Sequence, residues 1–434
     1  MRIAIISDVH LGDSMSVMVL KDPMTGQIQL GSKYDAFKNK IKTKFGGEEL
    51  DYLVLLGDIL DFSVSSYSDA YAIGKFFFQQ LKDDGIAKEI IYTPGNHDFD
   101  LWHTVEYQVN VTQRLERGKL PIPFRMSIPA IIDDRQSTSN RGFTLFNVSR
   151  RKESHKPSYA GLFMDHITTP ATPFNFVFPN IYFITDDETV LITHGQYQEA
   201  YWSILGRWGL KIINGDLDIK NQAMLDMKEM VAINFPLCQL GCSAIGQAGP
   251  LTRVIQKLEH ELKEHETRRL EPYFHRFEEE LKKMGFFKGF KGYLKKIGFD
   301  LIQKELLKTL GKTKKARYNK TFMEDPLVRA RFKEFFDSTA YEIDEIKERC
   351  GIDFPLPQRM IFGHTHQPIP WGASTAPKIS LPQLHGKELV MYNTGGWLNH
   401  LNKETKEMVF CGAEIFFYQT GEGFSSESIG YSSM

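Results

Sequence analysis

Ile3-Ala4-Ile5-Ile6-Ser7-Asp8-Val9-His10 is the stretch on which the reading of this chain turns. Residues 3–7 form a short, β-branched, nearly continuous apolar run, as expected of a strand buried on both faces. It runs directly into Asp8-Val9-His10, a loop holding two side chains of metal-ligand type. Tyr52-Leu53-Val54-Leu55-Leu56 repeats the pattern and ends in Gly57-Asp58; Glu89-Ile90-Ile91-Tyr92-Thr93 repeats it again and ends in Gly95-Asn96-His97-Asp98. Helical periodicity fills the gaps, over 34–45 and 69–81. Strands alternating with helices predict an α/β sheet that is at least partly parallel. Ligands of such sheets bind beyond the carboxyl ends of the strands. Three loops rich in ligand types are therefore expected along one sheet edge.

Farther along, 121–179 is rich in Pro, Ser, Thr and Asn and reads as long loops with short strands. Strands are expected over 181–184 and 189–193, joined by the turn Asp186-Asp187-Glu188, the second delivering His194-Gly195. From about 200 to 355 the chain becomes charge-rich and mostly helical, most clearly over 251–281 and 325–349. The strand pattern resumes at 359–362 and delivers Gly363-His364-Thr365-His366. Further strands over 388–392 and 408–418 are expected to close a second sheet. No internal repeat is evident.

The chain has 434 residues, enough for a large domain with an elaborate insertion. Its formal net charge of −1 makes the whole molecule no magnet for nucleic acid or acidic membranes, so such attraction must come from local clusters. Cys238, Cys242, Cys350 and Cys411 are few and irregularly spaced. Cys238 and Cys242 have the separation of a zinc pair, but no second pair follows and their neighbours are apolar, so they read as buried free thiols. The opening apolar run is too short for a signal peptide. No stretch approaches the roughly 18 apolar residues of a spanning helix. A reducing, cytoplasmic setting is expected, with peripheral membrane contact open.

Two divalent cations a few ångström apart need a carboxylate between them, about three further ligands each, and open positions for water and substrate. Asp8, His10, Asp58, Asn96, His194, His364 and His366 supply that inventory. Asp8 and His10 are two apart, as are His364 and His366, so each pair can point to one side of an extended segment. Oxygen and imidazole donors without thiolate favour manganese first, with iron or zinc as alternatives. Each loop alone is a common turn. Five together, each behind a predicted strand, are hard to read as structural punctuation.

The series Asp8-x-His10, Gly57-Asp58-x-x-Asp61, Gly95-Asn96-His97-Asp98, His194-Gly195 and Gly363-His364-x-His366 resembles the calcineurin-like metallophosphoesterase family. The resemblance covers roughly 1–200 and 355–420. It implies a sandwich of two β-sheets flanked by helices, with the site at its edge. Residues 1–199 and 356–434 would form that catalytic domain, and 200–355 a large, mainly helical insertion or cap. It further implies that Asp8, His10, Asp58 and His366 hold one metal and Asp58, Asn96, His194 and His364 the other, Asp58 bridging. The activity implied is hydrolysis of phosphate esters or pyrophosphates by a hydroxide shared between the cations. His97, beside a ligand yet assigned to no metal, is the candidate general acid, and Asp61 would orient it and raise its pKa.

Departures from family patterns bear on the substrate. Protein Ser/Thr phosphatases of the family follow the second aspartate with Arg-Gly, where Asp61 here is followed by Phe62-Ser63. Bacterial UDP-diacylglucosamine hydrolases also carry a helical insertion, but with Arg at the position of His97. Trp102 and His103, just past the catalytic loop, are open to a substrate contact. Within the insertion, 282–320 holds thirteen lysines and arginines against Asp300 and Glu305, with Phe286, Phe290, Tyr293 and Ile297 at helical spacing. A solvated helix packing its aromatic face, a basic helix on an anionic membrane or lipid-like substrate, and a nucleic-acid surface are the three readings. The substrate is accordingly a phosphorylated small molecule or a lipid-like one, and a nuclease acting through 282–320 is the alternative. A non-catalytic scaffold predicts broken ligand loops, and here all are intact.

Overall fold

The computed structural model of the chain describes residues 1–136, 142–145, 161–199, 202–203, 206–207, 225–247, 275, 278–279, 324–401 and 405–430. Its strands in the first half are β1 (Arg2–Ile6), β2 (Val19–Lys21), β3 (Ile28–Leu30), β4 (Leu50–Leu56), β5 (Ala87–Thr93), β6 (Ala130–Asp133), β7 (Gly142–Leu145), β8 (Phe174–Phe176), β9 (Asn180–Ile184) and β10 (Thr189–Thr193). The later strands are β11 (Arg359–Phe362), β12 (Lys378–Ser380), β13 (Glu388–Asn393), β14 (Asn399–Leu401), β15 (Met408–Phe410), β16 (Ala413–Gln419) and β17 (Gly423–Ile429).

Two sheets carry the fold. The first has the order β17-β16-β1-β4-β5-β8, the second β12-β13-β11-β10-β9-β6-β7. In the first, β1, β4, β5 and β8 run parallel, with Ile5 opposite Val54 and Val54 opposite Ile91. The apolar runs read from the sequence are thus the buried centre of a parallel sheet. In the second, β10, β11 and β13 run parallel, and Thr193 lies opposite Phe362. Parallel neighbours end on the same edge, so the loops after β1, β4 and β5 meet along one sheet and those after β10 and β11 along the other. The sheets face each other across a shared apolar core, in which Phe183 of β9 and Tyr418 of β16 bring their ring centroids to 4.3 Å.

Helices cover the outer faces. The helix Tyr67–Asp83 starts at Ser66, whose hydroxyl accepts from the Asp69 amide, a standard N-cap, and it buries Ala70, Ile73, Phe77, Phe78 and Leu81. The helix Tyr34–Lys44 buries Tyr34, Phe37 and Ile41. Both match the predicted stretches to within two residues.

One expected strand is two. Residues 408–418 break at Cys411-Gly412, where Gly412 takes a φ of 88°. β15 pairs with β14 in a separate hairpin, and β16 crosses to the first sheet and pairs antiparallel with β1. The second sheet is closed by β13 and β12 instead. The glycine reverses the chain between an exposed segment and a fully buried one, a switch that a continuous apolar pattern hides.

Two parts of the region 200–355 are described at length. The helix Met227–Phe235 begins with a capping box, Asp226 and Glu229 bonding each other's backbone N–H groups, and passes at Pro236 into the π-helical segment Pro236–Ser243. The helix Pro326–Cys350 is capped by Asp325 and ends at Gly351 with a φ of 71°. It is tied to the second sheet by buried Glu342, which accepts from Asn180 Nδ2 at 2.9 Å and from the Tyr182 hydroxyl at 2.6 Å. Tyr197 stacks on Phe335 of the same helix with centroids 5.7 Å apart. The lysine-rich stretch 282–320 and most of the predicted helix 251–281 lie outside the described residues. Among the described residues, no helix is long and apolar enough to cross a membrane.

Candidate active site

Three of the five loops, those after β1, β4 and β11, are bent by side-chain-bearing residues whose backbone is in the left-handed region. Asp8, His10, Asp58, His364 and His366 have φ of 54°, 50°, 54°, 67° and 55°. For a residue with a Cβ this conformation costs about 1–2 kcal/mol, and it persists where the surrounding structure over-determines it. The surroundings are the other loops: the Asp8 amide donates to the Gly57 carbonyl at 3.0 Å and the His10 amide to the Asp58 carbonyl at 2.9 Å. The paired side chains therefore converge through two left-handed residues, not along an extended segment as the spacing suggested. Gly95 is needed for its lack of a side chain, since a Cβ there would strike the Asp58 carboxylate and come within 2.7 Å of His194 Nε2.

The seven residues picked from the sequence lie together. Asp8, His10 and His366 form one group able to hold a metal, and Asp58, His194 and His364 a second. In the first, His366 Nε2 is 3.2 Å from Asp8 Oδ1 and 3.2 Å from His10 Nε2. In the second, His194 Nε2 is 3.2 Å from Asp58 Oδ2 and 3.3 Å from Asn96 Oδ1. Asp58 Oδ2 is also 3.9 Å from His10 Nε2, so one oxygen lies between the groups. His10, Asp61 and His97 are a third cluster. There both imidazoles bring Nδ1 to Asp61, His10 at 2.8 Å from Oδ2 and His97 at 3.1 Å from Oδ1, which is hydrogen bonding to a shared carboxylate.

The residues around these groups explain their aim. His194 Nδ1 donates to the Leu56 carbonyl at 2.8 Å, which leaves Nε2 as the nitrogen available to a proton or a metal. That nitrogen faces the oxygens of Asp58 and Asn96, an arrangement that calls for a positive charge among them, a proton or a metal cation. Together with the all-oxygen and imidazole donor set, this fits a divalent metal of hard or borderline character. Asp98 gathers four donors, the amides of Gly95, Asp58 and Ile59 and the hydroxyl of Tyr92, and so clamps the β4 and β5 loops together. Asp8 accepts from the amide of His364 and from Ser7, whose hydroxyl is shared with Thr394. Glu199 Oε2 lies 3.5 Å from His364 Nε2.

Charge follows from burial. Desolvation pushes the Asp58 and Asp61 carboxyls up, but neighbouring imidazoles (His194 and His97 first among them) hold both well below the ordinary range. Burial lowers His194, yet the Asp58 charge and hydrogen bond carry it to about 9. His97 is held well above its ordinary value because the Asp61 charge outweighs burial. Asp98, by contrast, is raised to about 6 by burial and by repulsion from Asp58. The cluster thus collects positive charge as protons wherever no metal supplies it.

Other sequence expectations fall elsewhere. Trp102 is fully buried among Phe99, Phe178 and Phe235 and offers no face to a substrate. His103 is partly exposed, 3.7 Å from Asp100. His166, His275, His385 and His400 are exposed. Cys238 and Cys242 are buried free thiols, and neither belongs to a metal-holding group among the described residues.

A two-sheet sandwich with carboxylates and imidazoles converging from five strand ends defines a metal-dependent phosphoesterase. Residues 1–204 match the model of the calcineurin-like phosphoesterase family. The match takes in Asp8 to His194 and stops before His364 and His366, which join the site by geometry. No curated protein matches the chain. Among solved structures, a dimetal phosphatase from Danio rerio is similar at 10% identity, over 99% of each chain, with a TM-score of 0.28.

Proposed function

We propose that Asp8, His10, Asp58 and His366 hold one divalent cation and that Asp58, Asn96, His194 and His364 hold a second. The observation that carries this reading is Asp58 Oδ2, 3.9 Å from His10 Nε2 and 3.2 Å from His194 Nε2. Manganese suits the donor set best, with iron or zinc as alternatives. Such a pair supplies, when bound, an activated water for attack on phosphorus and positive charge for the phosphoryl oxygens.

The chain's own residues do the rest. Asp61 accepts hydrogen bonds from the Nδ1–H groups of both His10 and His97, which turns His10 Nε2 toward the metal groups and keeps His97 charged. His97 has 16% of its side chain exposed, against 3% for His10 and 1% for Asp61, so it stands on the side from which substrate arrives. As an imidazolium at neutral pH it donates a proton to the leaving oxygen. The substrate class is a phosphate ester or anhydride of a small or lipid-like molecule. Residues 200–355 are an insertion whose segment 225–247 walls the site.

The test is a screen of manganese-loaded protein against phosphomonoesters, phosphodiesters and pyrophosphates, with Asp58→Asn as the inactive control. Equal activity of the two proteins on the best substrate would sink the proposal.

A further inference from the structure

The π-helical segment Pro236–Ser243 docks directly on the two loops that bear Asn96, His97 and Asp61. Ser243 Oγ accepts from the Asp100 amide at 2.5 Å, and Gln239 donates to the Asp100 carboxylate. Just beyond, the Gly246 amide donates to the Phe62 carbonyl at 2.8 Å, and a Cβ on Gly246 would strike the backbone of Phe62 and Ser65. Gln247 donates from Nε2 to the Ser65 carbonyl at 3.2 Å. This part of the insertion is therefore built into the site and does not simply overhang it. Segments with a π turn carry an extra residue in the helix and are frequent at functional sites.

Within that segment, the Cys242 sulfur lies 3.7 Å from Asn96 Nδ2, with both residues buried. The other end of the same amide, Oδ1, is 3.3 Å from His194 Nε2. We propose that Cys242 is a positioning residue for the metal centre: its thiol sulfur accepts from Asn96 Nδ2 and so fixes Oδ1 toward the cation. The proposal rests on reading Asn96 as a ligand. The two ends of a carboxamide are nearly the same size but opposite in polarity. A flipped Asn96 would present N–H donors to a cation and lose the bond altogether. Because Asn96 is 1% exposed, water does not hold its orientation, and a neighbouring acceptor must. Sulfur is a weak acceptor, but here it has only to break a near-tie between two rotamers. The amide nitrogen bonds the sulfur while the amide oxygen faces the metal groups, so Cys242 supports a ligand without being one.

The experiment compares the full-length wild type, Cys242→Ser, Cys242→Val and Asn96→Ala, each stripped of metal and titrated with manganese. Calorimetry reads each dissociation constant, elemental analysis the metal count, and thermal melting the integrity of the fold. Loss of an outer hydrogen-bond partner weakens metal binding about 10–100-fold, and that loss is expected for the weaker site of Cys242→Val. Cys242→Ser keeps an acceptor and is expected to stay within about threefold of wild type. If serine rescues no better than valine at equal melting temperature, the positioning role is wrong. Should Cys242→Val bind like wild type while Asn96→Ala loses a metal, the positioning role again fails and the ligand reading survives. If Asn96→Ala keeps both metals at unchanged affinity, the ligand reading itself fails. A thiolate charge-transfer band in cobalt-loaded wild type, absent from Cys242→Ser, would make the sulfur a ligand and overturn the proposal.

Discussion

Replacing His97 with alanine removes a proton donor while leaving all seven proposed ligands in place. His97 touches Asp61 Oδ1 at 3.1 Å and Ser63 Oγ at 3.0 Å, and its ring meets that of His10 edge-on with centroids 4.7 Å apart. Asp61 still accepts from His10 Nδ1 at 2.8 Å after the change, so the metal groups keep their orientation. A positioned general acid contributes about 10²–10⁴-fold, or roughly 3–5 kcal/mol of transition-state stabilisation. That contribution matters only where the leaving oxygen needs a proton. The full loss in kcat is therefore expected with alkyl phosphates, whose alkoxide leaves badly. With p-nitrophenyl phosphate the loss is expected to stay within about tenfold, because the phenolate leaves unprotonated. The pH profile carries a second signature. The Asp61 charge holds His97 well above its ordinary pKa, so wild type keeps the acid form through neutrality and loses activity only on the alkaline side. In Asp61→Asn that alkaline limb moves to lower pH, and in His97→Ala it disappears. Steady-state kinetics on both substrates, with metal content measured in parallel, decide the matter. Equal losses on the two substrates, at unchanged metal content, would refute the general-acid role.

Two further outcomes follow from the same geometry. In metal-free protein His194 titrates at about 9, against 6.5 when unperturbed, so its contribution to stability is complete below pH 6.5 and is lost as pH rises through about 9. The melting temperature of chelated protein should fall across that window, the manganese-loaded form should change less, and loading at pH 7 should release protons into weak buffer; a melting temperature that rises there contradicts the assignment. Gly95→Ala places a methyl group against the Asp58 carboxylate and 2.7 Å from His194 Nε2. Metal affinity should drop at least tenfold by calorimetry, and unchanged affinity would mean the loop has slack that its packing denies.

The strands and their loops were legible because a parallel, doubly buried strand writes itself as an apolar run, and the run stops where the chain leaves the sheet. Asp8, Asp58, Asn96, His194 and His364 each sit at such a stop, so residue type and position pointed the same way. The left-handed backbone of Asp8, His10 and Asp58 left no trace, since only glycine advertises a positive φ. Asp98 stood in plain sight inside Gly95-Asn96-His97-Asp98, but its work is done across to the Asp58 and Ile59 amides, and spacing does not report that. Glu199 and Cys242 were hidden for the same reason. Cys242 meets Asn96 across 146 positions of chain, and a cysteine in a mostly apolar stretch looks like core. The displacement of β16 into the first sheet was masked by Gly412, a single residue inside an otherwise uninterrupted strand pattern.

Two cations that share Asp58 would couple magnetically through its carboxylate. Electron paramagnetic resonance of protein loaded with two equivalents of manganese should give the broad, many-line spectrum of an exchange-coupled pair, collapsing to isolated-ion signals in Asp58→Asn. A wild-type spectrum showing only the hyperfine sextet of isolated ions, or a metal count of one per chain at saturation, would contradict the account.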